Sequence, residues 1–156
     1  MKKILISKCL MGEEVRWNGK SKTAHSLIEW LENQGLTVVP VCPEDDLFGT
    51  PRPPIRLIQV ESKIEAIRAG EDISEQLERR CREITQDPEI VGFVGVNKSP
   101  TCGIGVGVKN LGRVIKGYMH ALSSFPTAES GQLRTQEQKE NFMKRIKKYE
   151  EHNSMG

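Results

Sequence analysis

No apolar run in this chain approaches the length that spans a membrane, and the stretch after Met1-Lys2-Lys3 ends at Ser7-Lys8, too soon for the core of a secretory signal. A cytoplasmic protein without a membrane partner is the expectation. No Pro-, Gly- or Ser-rich linker interrupts the 156 residues, which predicts a single domain over 1–156. Charge of one sign is also lacking. With 23 basic and 21 acidic residues the net charge is +2, which demands no nucleic-acid partner while allowing a local basic patch. Histidine is scarce, and none of His25, His120 and His152 is placed in sequence to partner a nucleophilic cysteine or to help a zinc site. The glycines of 102–117 complete neither a G-x-G-x-x-G nor a P-loop pattern, so they are read as turns and points of close backbone approach.

Against these absences stand four cysteines, which in a reducing compartment serve as ligands, catalysts or core residues sooner than as disulfides. Cys9, Cys42 and Cys102 each sit just past a short apolar run: Ile4-Leu5-Ile6, Val38-Val39-Pro40-Val41 and residues 90–96. If those runs are parallel strands of one sheet, the three thiols emerge together at its carboxyl edge, where open α/β sheets bind ligands. Their separations of 33 and 60 residues match no local disulfide or zinc-knuckle spacing. Three thiols without a fourth leave two options, an iron-sulfur cluster with one iron open or a three-ligand zinc completed by water. Cys81 falls on the apolar face Ile73, Leu77, Cys81, Ile84 of a helix capped by Asp72 or Ser74 and ending before Pro88, and reads as a small buried hydrophobe.

The remaining pattern predicts an α/β fold, a three-layer sandwich built on a mainly parallel, Rossmann-like sheet with helices on both faces. Ala24, Leu27, Ile28 and Leu31 keep helical spacing between a cap at Ser21 or Thr23 and a stop at Gly35, completing a right-handed βαβ unit. Thr50-Pro51-Arg52-Pro53-Pro54 is a stiff loop, because its prolines fix their own φ and restrict their neighbours. Residues 55–69 are ambiguous in period and are read as short strands, with a turn at Gly70. Residues 136–151 form a helix with apolar face Phe142, Ile146 and Tyr149 and a solvated basic side of Lys144, Arg145, Lys147 and Lys148.

Around the thiols, Glu44 lies two residues after Cys42 and Ser99 three before Cys102, a carboxylate and a hydroxyl within reach of anything bound there. Arg16, Arg52 and Lys98 add positive charge that would attract an anion and favour thiolates.

Four motifs in order, Ser7-Lys8-Cys9-Leu10-Met11-Gly12 with Val15-Arg16-Trp17-Asn18-Gly19, Val41-Cys42-Pro43-Glu44, Gly49-Thr50-Pro51-Arg52-Pro53-Pro54 and Lys98-Ser99-Pro100-Thr101-Cys102-Gly103, resemble the thiouracil desulfurase family. The similarity extends over roughly the first 125 residues and is closest to the N-terminal domain of the 4-thiouridine tRNA desulfidases. It implies a 4Fe-4S cluster held by Cys9, Cys42 and Cys102, with the fourth iron left for substrate sulfur. It further implies that Glu44 and Ser99 occupy acid/base and hydrogen-bonding positions, while their charge makes Arg16, Arg52 and Lys98 the candidate substrate contacts. The implied reaction removes the thiocarbonyl sulfur of a thiolated pyrimidine without net redox change, giving the oxo base and sulfide. The substrate would be 2- or 4-thiouracil, or 4-thiouridine as nucleoside or within tRNA. Trp17 and Asn18 stand where family members often carry Tyr and Asp, and Asp45-Asp46-Leu47-Phe48-Gly49 replaces a double glycine, departures that bear on the substrate pocket. Two other readings stay open: sulfur transfer to RNA through the same cluster, and a non-catalytic, zinc-stabilised RNA-binding module.

Overall fold

A computed structural model describes residues 2–11, 25–97 and 99–154. Strand β1 (Lys3–Ser7) runs into a 3-10 turn (Lys8–Met11), and helix α1 (His25–Asn33) leads to β2 (Thr37–Val41) and the short α2 (Pro43–Phe48). Next come β3 (Ile55–Val60), β4 (Lys63–Arg68), β5 (Glu71–Asp72), α3 (Ser74–Thr85) and β6 (Ile90–Gly95). The chain continues through β7 (Val106–Gly107), β8 (Val114–Ile115), α4 (Tyr118–Leu122) and β9 (Thr127–Glu129) to α5 (Gln136–Ser154).

The main sheet has the order β2-β1-β6-β9, with every neighbour parallel. Helices flank it, as the α/β reading predicts. β6 is buried along its whole length and β1 is buried from Ile4 to Ser7, which is why both read as uninterrupted apolar runs. β2 lies at the edge and is only half-buried, so Pro40, paired with Ile6, leaves no ladder donor missing on a second side. β1 is followed by β2 on one side of it, and the chain later returns to place β6 on the other. The β1/β6 boundary is therefore the crevice at which parallel sheets collect ligands.

The ambiguous segment is a hairpin of β3 and β4 extended by β5, and its strands are too exposed to alternate cleanly. β3 also reaches the 106–115 segment. Lys109 N donates to Leu57 O at 2.9 Å, and the Asn110 side chain bonds both backbone groups of Gln59 at 2.8 Å.

α3 buries Leu77 and Cys81, as its spacing predicts. Its cap differs from the expectation: Asp72 accepts from Ser74 N at 3.0 Å, whereas the Ser74 hydroxyl accepts from Ala66 N at 2.7 Å and so ties the helix to β4. α5 sinks Phe142 and Ile146 into the core, each worth roughly 2–3 kcal/mol of burial, while Tyr149 meets Phe125 edge-on at 6.5 Å. The expected caps of α1, Ser21 and Thr23, lie outside the described residues. Among the described residues, no helix is long and apolar enough to cross a membrane.

Candidate active site

Three loops leave the carboxyl ends of β2, β1 and β6, and each carries one cysteine. Cys9 is buried in the 3-10 turn directly after β1. Cys42 follows Val41 at once and is the N-cap of α2, with Pro43 in the first turn and Asp45 N donating to its Sγ at 3.4 Å. Cys102 is buried in the turn that follows β6. All three line one cavity of about 380 Å³, together with Glu44, Ser99, Thr101 and Arg52. That size suits a small ligand.

The Cys102 turn is fixed through its main chain. The carbonyls of Pro100, Thr101 and Gly103 accept from Tyr118 N (3.2 Å), Met119 N (2.8 Å) and Gly117 N (2.7 Å), donors that the start of α4 leaves unbonded within the helix. The carbonyl of Cys102 meets His120 Nε2 at 2.6 Å, and His120 is itself buried against Phe93 with ring centroids 5.0 Å apart. Packing here is close enough to require glycine. A Cβ on Gly95 would lie 1.9 Å from the Cys102 carbonyl oxygen, and one on Gly117 would lie 2.6 Å from that of Gly103. On the turn's other side the Ser99 hydroxyl accepts from Cys102 N (3.1 Å) and Thr101 N (3.3 Å). Ser7, at the end of β1, accepts from Val96 N at 3.1 Å and hydrogen-bonds the Cys102 sulfur.

The Cys42 loop is fixed through side chains. Arg52 is buried and donates from Nη1 to Gly49 O (3.1 Å) and Thr50 Oγ1 (2.8 Å), from Nε to Glu44 Oε1 (3.4 Å), and from Nη2 towards Cys42 Sγ at 3.9 Å. Glu44, in the first turn of α2, accepts on its other oxygen from Thr101 Oγ1 at 2.8 Å and from Ser99 Oγ at 3.5 Å. A carboxylate from one cysteine loop is thus bonded to hydroxyls from another.

Burial governs the thiols. It pushes Cys42 up to about 11, partly offset by the Asp45 amide and the Arg52 charge, and holds Cys102 well above the ordinary thiol value, partly offset by Ser7. A metal bound here would displace those protons. Cys81 is pushed up to about 12 by the same desolvation and belongs to the core. Among the described residues, no three His, Cys, Asp or Glu side chains form a group that could hold a single metal ion. The donor set on the cavity wall, three thiols, is of soft-ligand character.

Six of the residues singled out in the sequence are therefore brought together: Cys9, Cys42, Cys102, Glu44, Ser99 and Arg52. Arg16 and Lys98 lie outside the described residues. Arg52 lines the cavity, and its guanidinium is also engaged by Glu44, Gly49 and Thr50. Thr101, Ser7 and His120 were not foreseen, nor were Lys8, Arg56 and Lys109 at the cavity wall. Thr101 had one visible signal, its place between Ser99 and Cys102. Ser7 and Lys8 had the same kind of signal, directly before Cys9, whereas His120, Arg56 and Lys109 are brought in from segments that adjoin no cysteine in sequence.

The parallel main sheet thus presents three thiols, a buried carboxylate and a hydroxyl at the carboxyl edge of its central strands, in a cavity of small-molecule size. A family profile described as 2-thiouracil desulfurase matches residues 4–149, and the chain belongs to that family. A solved structure of a 4Fe-4S-dependent thiouracil desulfidase, TudS, is similar to it at 26% identity and a TM-score of 0.69, covering 85% of this chain and 93% of that one. No curated protein matches the chain.

Proposed function

We propose that this chain removes the thiocarbonyl sulfur of a thiolated pyrimidine by hydrolysis, giving the oxo base and sulfide without net redox change, with a 4Fe-4S cluster held by Cys9, Cys42 and Cys102. The observation that carries the reading is the meeting of those thiols with the Glu44–Ser99 pair in one cavity. Bound through three cysteines, such a cluster supplies one open iron as a soft Lewis acid for a thiocarbonyl sulfur.

The chain's own groups supply the rest. Glu44, about nine-tenths buried, acts as general base towards water at the cavity wall. The Ser99 hydroxyl already accepts two backbone N–H bonds, so its proton is free to point at Glu44 Oε2, which makes the pair a short path for a proton to or from the ring. Lys8, Arg56 and Lys109 on the cavity wall suit an anionic extension of the base, which favours 4-thiouridine as a nucleotide or within RNA over the free base.

The test is elemental analysis after anaerobic reconstitution, followed by turnover of thiouracil and 4-thiouridine. About four irons with matching sulfide are expected, as for a cubane cluster. Cys9→Ala, Cys42→Ala and Cys102→Ala each abolish iron uptake, Cys81→Ala keeps it, and Glu44→Ala keeps iron and loses turnover. Zinc in place of iron, or iron loss in the Cys81 variant, refutes the assignment.

A further inference from the structure

Glu44 does not hang freely in the cavity. Oε1 takes the Arg52 Nε bond at 3.4 Å, and Oε2 takes the Thr101 hydroxyl at 2.8 Å, much shorter than the 3.5 Å to Ser99. Thr101 is fully buried, and its own backbone is immobilised on both sides, N–H to Ser99 Oγ and C=O from Met119 N at 2.8 Å. Arg52 is in turn held by Gly49 O and Thr50 Oγ1. Each carboxylate oxygen is therefore gripped by a different loop, one belonging to Cys42 and the other to Cys102. A carboxyl group held at only one oxygen keeps freedom about its terminal torsions, whereas one held at both is confined to a single plane.

We propose that Thr101 is a positioning residue of the desulfidase reaction: its hydroxyl, opposite Arg52, fixes the plane of the Glu44 carboxylate so that Ser99 and the cavity face meet it in one orientation. This rests on the reading of Glu44 as the acid/base group. Thr101 itself needs no contact with substrate. With the hydroxyl removed, Oε2 retains only the long Ser99 bond, and the carboxylate regains freedom about its terminal torsion. Thr→Val removes that bond with a side chain of the same branching, leaving the buried Oε2 one donor short.

The experiment compares T101V, T101S and E44Q in the reconstituted enzyme and in the cluster-free protein. In the loaded enzyme, T101V is expected to keep wild-type iron and sulfide and a KM within about twofold, while kcat falls about tenfold to a hundredfold, the range for a misplaced catalytic group. T101S restores kcat to within about threefold, since it returns the hydroxyl. In the cluster-free protein, urea unfolding of T101V, E44Q and the double variant gives a double variant less destabilised than the two singles together. Additive destabilisation overturns the proposed contact. Wild-type kcat in T101V, with E44Q inactive, overturns the positioning role and leaves the Glu44 reading standing. Full activity in E44Q overturns the Glu44 reading instead, and the unfolding cycle still decides whether the contact exists. Loss of iron in T101V places Thr101 in the cysteine site and overturns the proposal.

Discussion

The loop that carries Cys102 is held by main-chain bonds to α4 and by glycines that admit its carbonyls, whereas the loop that carries Cys42 is held by a guanidinium, a hydroxyl and a carboxylate. Both deliver a thiol to the same cavity, but they fail differently. The first is vulnerable where a Cβ would intrude, and among its own side chains Ser99, which accepts from the Thr101 and Cys102 amides, holds its shape. The second has room around its backbone and depends on one buried cation. Rigidity obtained from peptide groups costs no side-chain entropy and cannot be retuned by small steps. Rigidity obtained from side chains can be.

The largest expected effect breaks the main-chain side of this contrast. Gly95→Ala forces a Cβ to within 1.9 Å of the Cys102 carbonyl oxygen and 2.9 Å of its carbon, and neither atom belongs to a flexible side chain. Strand or loop must move, at a cost of about 4 kcal/mol, above the usual range of about 1–3 kcal/mol for overpacking because backbone is what must give, with iron uptake lost. A wild-type urea midpoint in that variant would show that the turn is softer than described.

Arg52→Ala breaks the side-chain-held loop. It leaves Glu44 with its charge buried and unpaired on one oxygen, and costs about 3 kcal/mol, at the low end for breaking such a pair because the cavity admits water. Arg52→Lys should recover little, since an ammonium cannot reach Gly49 O, Thr50 and Glu44 together. Full recovery by Lys in urea unfolding would reduce Arg52 to a mere charge.

The smallest effect serves as the control outside both loops. Lys3 hydrogen-bonds Asp87 at 2.7 Å and holds its carboxyl below the usual carboxylate value, so the pair contributes stability above the ordinary carboxylate range and loses it as pH falls through the lowered value. Asp87→Asn should therefore be slightly less stable than wild type at neutral pH, with the gap closing in acid and iron content unchanged. A gap that widens in acid would contradict the sign.

Much of the frame was legible in the sequence for identifiable reasons. β1 and β6 are buried on both faces and so appear as continuous apolar runs, and α3 and α5 keep a helical period because each presents one face to the core. The thiols were legible by position, directly after strands. α2 was not, because Glu44, Asp45 and Asp46 after a proline carry no apolar period, and its cap is a sulfur instead of a hydroxyl or carboxylate. β9 spans only Thr127–Glu129, too short for any pattern. In the site, charge alone marked Arg52 as a ligand contact, since the oxygens that engage it are set by the bends of 49–52. Thr101 was passed over for Ser99 because both are hydroxyls in one tetrapeptide, and only the direction of the turn tells which meets Glu44 more closely.

The strand order β2-β1-β6 has a consequence for how such a protein is made and repaired. The proposed ligands follow adjacent strands of a sheet whose core runs from Ile4 and Phe93 to Phe142 and Ile146, with Cys9 and Cys102 buried at its edge. Small metal-dependent domains collapse when stripped, because their ligands are their core. Most of this core lies outside the proposed ligands, so a chain stripped of its proposed cluster is expected to keep a cooperative urea transition and to be refilled on reconstitution.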